Sequence, residues 1–383
     1  MKLVQRVVLL LGIVFLLQST VVAQATAVDS LTADAAILIE ASTGKVLFEK
    51  NADKREYPAS TTKMMTLLLA LENCNLNDIV KVKADAAAVG GSSMKLETGD
   101  EIQMGELLQG MMLASGNDAT VAVADYMTSS MGDFTATMNK KAKELGATNT
   151  NFVNSSGLPD INHYSTARDL SKIAAYGYRN PTFRSIVSVK EKNIQWVKPA
   201  KKHFTFENTN ELLKEDDNIN GIKTGYTRAA GECLVASSER NGVNLIAVVL
   251  HANDGCRFTE AETLLDYGFT KVSMEKAFSK NELVKPVYVR GGKGYKITAR
   301  PQKHICYPVS DGDKKRYSVK YDMPNFVDAP VSAGQRVGAL CILYNGKEVD
   351  RVDMVADSSM GKGFSLMSFI IQIYDGIFNG LNL

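Results

Sequence analysis

The stretch GECLVASSERNGVNLIAVVLHA, residues 231–252, constrains the fold more than any other part of the chain. Two runs rich in Val, Leu and Ile flank Asn241-Gly242, the pair best suited to a tight hairpin turn. A lone hairpin is marginal in water, so these strands belong to a larger sheet. A second hairpin is read from AAILIEASTGKVLFEK, residues 35–50, which alternates apolar and polar residues around Ser-Thr-Gly. The segments between them read as helices. Lys63 to Glu72 contains MMTLLLALE, apolar nearly all round and therefore a buried helix. Gly105 to Ala114, Ala119 to Met131 and Tyr164 to Tyr176 also read as helices, and Arg257 to Phe269 as an amphipathic final one. The expected fold is α/β (α+β): an antiparallel sheet assembled from both ends of the domain and covered by helices.

From about Leu283 the texture changes. LVKPVYVRGG, GYKITARP, HICYPVS, RYSVKYDMP and VGALCILYNGKEVDRVDMVA are short β-branched runs broken by Gly, Pro and an Asn345-Gly346 turn. They predict a small all-β domain over 279–357, a spacer or interaction module with no catalytic constellation. The last segment, 358–383, ends in FSLMSFIIQIYDGIFNGLNL. Ser365, Ser368, Gln372, Asp375, Asn379 and Asn382 recur at helical steps and leave the opposite side apolar. A spanning helix would bury Asp375 in hydrocarbon, whereas one lying in the membrane surface would not. An amphipathic membrane-anchor helix is the expectation.

At the other end Lys2 and Arg6 precede the apolar run Val7 to Leu17. Such a run rises only about 16 Å as a helix, short of a bilayer core of roughly 30 Å. Two overlapping Ala-x-Ala sites end at Ala25 and Ala27. That layout predicts a signal peptide over 1–27, export, and a main domain over 28–278 on the outer face of the membrane.

A formal net charge of +2 in 383 residues gives no basic excess for phosphates and argues against nucleic acid. The cysteines, Cys74, Cys233, Cys256, Cys306 and Cys341, are odd in number and hold no CxxC. Only Cys306 with Cys341 suggests a disulfide. Neither they nor His163, His203, His251 and His304 show metal-ligand spacing, so no metal and no cofactor are expected.

The chemistry is carried by three short motifs. Ser-x-x-Lys alone is weak, since it begins at Ser42, Ser60, Ser92, Ser273 and Ser359. Only Ser60 stands directly before a long buried helix, where its hydroxyl and Lys63 project from one face. Ser60 is either a helix cap beside a solvated lysine, or a nucleophile with its base one turn away. A lysine opening so apolar a helix after Pro58 sits uneasily with the first. A serine hydroxyl needs a base, and a lysine amine serves if burial and a nearby cation such as Lys223 lower its pKa.

Ser60-x-x-Lys63, Ser115-Gly116-Asn117 and Lys223-Thr224-Gly225 occur in the order of the serine penicillin-recognising enzymes. The surrounding text, LLQGMMLASGNDAT, FVNSSGLPDINHYSTARDL, NGIKTGYT and ECLVASSERNGVNLIAVVL, resembles the low-molecular-mass penicillin-binding proteins that are D-alanyl-D-alanine carboxypeptidases. The resemblance implies a β-lactamase/transpeptidase-like catalytic domain. It implies removal of the terminal D-alanine from peptidoglycan stem peptides through a Ser60 acyl-enzyme, with β-lactams as inhibitors. Lys63 matches the proton acceptor, Ser115 the relay to the leaving group and Asn117 the residue holding the substrate amide. Lys223, Thr224 and Gly225 match the strand facing the substrate carboxylate. The backbone N–H groups of Ser60 and Tyr226 match the oxyanion hole, and Arg257 in CRFTEAE matches an arginine of the same region.

One departure stands out: some relatives carry an arginine in an N-x-N-x-L-L segment where this chain has Thr209. Two alternative functions compete with this reading. A class A-type β-lactamase needs a glutamate-held water, but no E-x-x-L-N lies between Asn117 and Lys223. A non-catalytic wall-binding scaffold is at odds with intact motifs.

Overall fold

The computed structural model describes residues 28–310, 312–370 and 373; the expected signal peptide lies outside them. The chain divides into two compact units, Met1–Lys271 and Val272–Leu383.

The first unit is built on a five-stranded antiparallel sheet in the order Val46–Lys50, Ala35–Glu40, Val243–Ala252, Gly231–Arg240, Ile219–Thr227. Both hairpins form as their turns dictate. Asn241 and Gly242 take positive φ, as does Gly44. The buried Glu40 carboxylate closes the other turn by accepting from the backbone N–H groups of Ser42 and Thr43. Ala35–Glu40 is buried throughout because helices cover both sides of the sheet. Arg257–Phe269 and Ala167–Tyr178 both pack on its central strands. Glu260 on the former is buried and accepts from Thr32 and Ala33, fastening the start of the domain to its last helix.

The helix Lys63–Asn73 is buried continuously from Lys63 to Ala70. Several helix boundaries differ from the sequence reading. Tyr164 and Ser165 bridge to Asn151 and Glu56, so that helix starts only after Thr166, whose hydroxyl caps Asp169 N–H. Asn117–Met127 starts at the motif asparagine itself. It stops at an extended Thr128, and Ser130 caps a separate helix, Met131–Glu144. A hairpin of Glu191–Gln195 and His203–Glu207 was not anticipated.

The second unit holds a six-stranded sheet in the order Tyr317–Asp322, Arg336–Tyr344, Lys347–Ala356, Lys296–Pro301, Lys285–Arg290, Phe326–Asp328. Its core is aliphatic, including Val287, Ile297, Leu340, Val352 and Met354. The unit begins before the change of texture seen in sequence, because Ser273–Phe278 pairs with Ile305–Val309 inside it. The suggested Cys306–Cys341 bridge is absent, since Cys306 lies on that two-stranded ladder and Cys341 in the six-stranded sheet. Residues 366–370 are helical. Ser368 is buried and its hydroxyl donates to Val289 O at 2.8 Å, while Phe364, Leu366, Met367, Phe369 and Ile370 are exposed. Gln372, Asp375, Asn379 and Asn382 lie outside the described residues. No helix among the described residues is long and apolar enough to cross a membrane.

Candidate active site

Ser60 sits in a 3-10 turn, Ala59–Thr62, that runs straight into the buried helix. Ala59 enters it at φ 47°, and the Thr61 hydroxyl braces it by donating to Pro58 O at 2.7 Å. Lys63 Nζ lies 2.9 Å from Ser60 Oγ, 2.8 Å from Asn117 Oδ1 and 3.0 Å from Ser156 O. Lys63 is fully buried, and that burial pushes its pKa well below the ordinary lysine value. The Lys223 ammonium pushes the same way and the Asp118 carboxylate opposes both.

Counting hydrogens gives the site its direction. A neutral amine has two N–H bonds and one lone pair. Asn117 Oδ1 and Ser156 O can only accept, so they take both hydrogens. When the amine is neutral, its lone pair is left for the Ser60 hydroxyl 2.9 Å away.

Ser115 and Asn117 come from the junction of helices Met104–Leu113 and Asn117–Met127. Ser115 is buried and held at φ 56°, a conformation a serine adopts only when its surroundings impose it. The Asn117 side chain accepts from Lys63 and donates to Gly90 O at 2.8 Å. Gly91 must be bare beside it, because a Cβ there would stand 2.6 Å from Asn117 Nδ2. The next residue, Asp118, was not singled out from sequence. Its buried carboxylate accepts from Ser93 Oγ, Met94 N and Leu96 N and so fixes the loop that carries Gly90.

The opposite wall is the edge strand Ile219–Thr227. Lys223 is buried, and its Nζ donates to Thr224 O at 3.1 Å, Thr224 Oγ1 at 3.3 Å and Thr209 Oγ1 at 3.4 Å. Burial first, and the Arg257 cation second, lower its pKa to about 7. Thr209, the departure seen in sequence, also shares a 2.5 Å hydrogen bond with Thr224 Oγ1. Asn208 and Asn210 hold its turn, the first accepting from Asn210 N and the second donating to Gly221 O. Arg257 reaches Gly225 O at 3.4 Å, and Tyr226 is exposed.

Two glycines let these parts close on Ser60. A Cβ on Gly225 would lie 3.1 Å from Ser60 N, and one on Gly157 would lie 1.7 Å from Ala59 O. Gly157 also has φ 90°, so both space and conformation exclude a side chain. Lys63, Asn117 and Gly225 are thus gathered at Ser60 from three segments distant in sequence, and Arg257 reaches the Gly225 carbonyl from a fourth. Elsewhere in the unit, Asp34, Glu56 and His251 place three ligand-type atoms within 4.8 Å of one another. Lys54 already bridges their two carboxylates at 2.7 Å each.

Comparison with known proteins gives a consistent picture. The family described as D-alanyl-D-alanine carboxypeptidase matches residues 21–254, and the C-terminal domain of penicillin-binding protein 5 matches 273–362. The chain is 35% identical to D-alanyl-D-alanine carboxypeptidase DacF of Bacillus subtilis (strain 168), over 86% of each chain. It is 33% identical to DacC of Escherichia coli (strain K12), over 89% of this chain and 87% of that one. Among solved structures it resembles penicillin binding protein 5 from Haemophilus influenzae, at TM-score 0.61 and 29% identity over 87% of this chain and 98% of that one. A mutant of the Streptomyces K15 DD-transpeptidase matches at TM-score 0.61 and 35% identity, over 63% of this chain and 99% of that one.

Proposed function

Because the chain belongs to the D-alanyl-D-alanine carboxypeptidase family, we propose that Ser60 is its acylated nucleophile and Lys63 the base that activates it. The protein is a serine-type D-Ala–D-Ala carboxypeptidase of peptidoglycan stem peptides, and it binds penicillins. The observation that carries the residue assignment is the fully buried Lys63 amine, held by Asn117 Oδ1 and Ser156 O and standing 2.9 Å from Ser60 Oγ.

In this reading Lys63 takes the hydroxyl proton as Ser60 Oγ attacks the carbonyl of the penultimate D-alanine. The backbone N–H groups of Ser60 and Tyr226 receive the oxyanion. The C–N bond then breaks, and Ser115 passes a proton to the departing D-alanine amine. Water hydrolyses the ester to regenerate Ser60. A β-lactam would form the same ester and leave slowly. Asn117 holds the substrate amide. Lys223 and Thr224 face the terminal carboxylate, with Gly225 keeping the strand close and Arg257 supporting the same side. The pairing of Thr209 with Thr224 supports a carboxylate subsite built from hydroxyls and Lys223, without an arginine at that position.

The pattern from Lys2 to Ala27 supports export, and the outward apolar residues from Phe364 to Ile370 support attachment to a membrane surface. Ser368 turns the polar side of that segment toward its own domain, which is the orientation an interfacial anchor requires. Incubation with a stem pentapeptide, measuring released D-alanine, together with mapping of the labelled-penicillin adduct, tests the whole reading. Release without a Ser60 adduct would refute it.

A further inference from the structure

We infer that His163 is a positioning residue for acylation: it ties the serine-bearing turn, at Thr62, to the loop whose Ser156 carbonyl holds the Lys63 amine. The inference rests on the reading of Ser60 and Lys63 given above. His163 is buried, with Nε2 2.9 Å from Thr62 Oγ1 and Nδ1 3.2 Å from Val153 N. A backbone N–H can only donate, so Nδ1 is the acceptor and the ring proton sits on Nε2, donating to Thr62. Burial lowers the histidine pKa to about 4, against the pull of the Asp160 carboxylate, so the neutral ring and its tautomer agree with the geometry.

The loop it holds is the other half of the lysine cage. Asn154 Oδ1 shapes it by accepting from Ser156 N and Gly157 N, and Asn139 clamps Phe152 at both backbone groups. Neither of those bonds reaches the nucleophile helix. Thr66 does, donating to Ser155 O at 2.7 Å, but it lies a turn beyond Lys63. On the serine side of Lys63 the backbone bridges Glu56–Ser165 and Asn151–Tyr164 hold the flanking chain, and His163 is the side-chain tie that reaches the serine-bearing turn itself. Without it, Ser156 O loses its register against Lys63, and the amine is no longer forced to turn its lone pair to Ser60. The Lys223–Thr224 wall is untouched by this loss, so substrate recognition and acylation should separate.

The test uses the full chain with His163→Phe, which keeps a ring against Phe152, and His163→Gln. A glutamine amide, like the imidazole, offers one acceptor and one donor flanking a single carbon. Rates of labelled-penicillin acylation, kcat and KM for a stem pentapeptide, and thermal midpoints are measured beside wild type. With about 1 Å of misplacement costing on the order of 10²-fold, His163→Phe should lose about 10–10²-fold in acylation rate and kcat, with KM within about twofold. His163→Gln should recover to within about threefold of wild type on the same scale. Wild-type acylation in His163→Phe, a KM that rises in step with the lost kcat, or a folded His163→Gln as slow as His163→Phe would each overturn the inference. If His163→Phe does not fold, the glutamine variant decides alone: near wild type supports the tie, slow refutes it. A wild-type chain that takes up no penicillin overturns the Ser60 reading, and this one with it. An active wild type with an equally active His163→Phe overturns only this one.

Discussion

The two units of this chain treat charge in opposite ways. The catalytic unit buries Lys63, Lys223, Asp118, Asp169 and Glu260, each among directed partners. In the C-terminal unit, Asp313 is the buried charged residue among those described, and ion pairs such as Arg336–Asp353 and Arg290–Asp328 stand in water. Removing a charge from water costs several kcal/mol before any partner is counted, so a domain tolerates it where the charge does something. In the catalytic unit burial pushes both lysines toward neutrality, the change an ordinarily inert amine needs before it can serve as a base. In the other unit the charges keep a β-sheet soluble. The contrast teaches where to look for chemistry, and it can be broken by experiment.

The largest effects should come from the buried side. Ser60→Ala should abolish both penicillin labelling and D-alanine release, because no other group there can carry the acyl chain. Lys63→Ala should keep the serine yet slow acylation by about 10²–10⁴-fold, the usual contribution of a positioned base. Labelling that persists in the Ser60→Ala protein would place the nucleophile elsewhere.

Next comes the other buried lysine. If Lys223 reads the substrate's free carboxylate, amidating the terminal D-alanine should cost the wild-type enzyme much of its rate. In Lys223→Ala that penalty should shrink, because the group that told carboxylate from amide is gone. Equal discrimination by the two proteins would remove Lys223 from that role.

Much of this was legible in the sequence, for identifiable reasons. Asn241-Gly242 and the apolar Lys63–Asn73 segment announce themselves because turn geometry and burial act on neighbouring residues. Ser60, Lys63, Asn117 and Lys223 could be singled out because the proposed chemistry needs particular side chains. What escaped is what has no side-chain signature. The third partner of Lys63 is a backbone carbonyl, Ser156 O, and any residue supplies one. The need for Gly157 arises from Ala59, far away in sequence, and only the folded contact reveals it. His163 and Asp118 read as one scattered histidine and one acid at a helix start until their partners are visible. The helix expected from Tyr164 began late because tertiary bridges claimed Tyr164 and Ser165 first.

A smaller effect should appear in stability against pH. Lys223 titrates near pH 7 in the folded chain and at about 10.4 when unfolded, so between those values the unfolded state holds more protons. Its contribution therefore makes the fold more stable as pH rises across that window, and Lys63 acts in the same direction. Denaturant melts at intervals from pH 7 to 10 should show a weaker rise in Lys223→Met than in wild type. A rise of the same steepness in both would mean that the buried lysine is not the source.

For the C-terminal unit the expected catalytic effect is nil. Deleting residues 364–383 should leave D-alanine release unchanged while ending flotation with liposomes. Full-length binding should survive high salt, since Lys362 is the one cation close to that segment in sequence and the exposed side is apolar. Release by salt alone would turn the anchor into an electrostatic one.

The smallest effect belongs to a surface pair, and it bears most directly on the contrast. Arg336 Nε lies 2.7 Å from Asp353 Oδ1, a distance as short as those around Lys63. Distance alone would rank the two interactions together. Exposure separates them: the side chains of Arg336 and Asp353 are 61% and 45% accessible. Water and salt screen such a pair, and ordering two long side chains offsets most of the attraction that remains. Arg336→Ala should therefore cost no more than about 1 kcal/mol in a denaturant melt, and less at high salt, with kcat and KM unmoved. A loss of about 3 kcal/mol, the scale of a broken buried pair, would show that the β unit leans on its charges as the catalytic unit does. The division drawn between the two units would then fail.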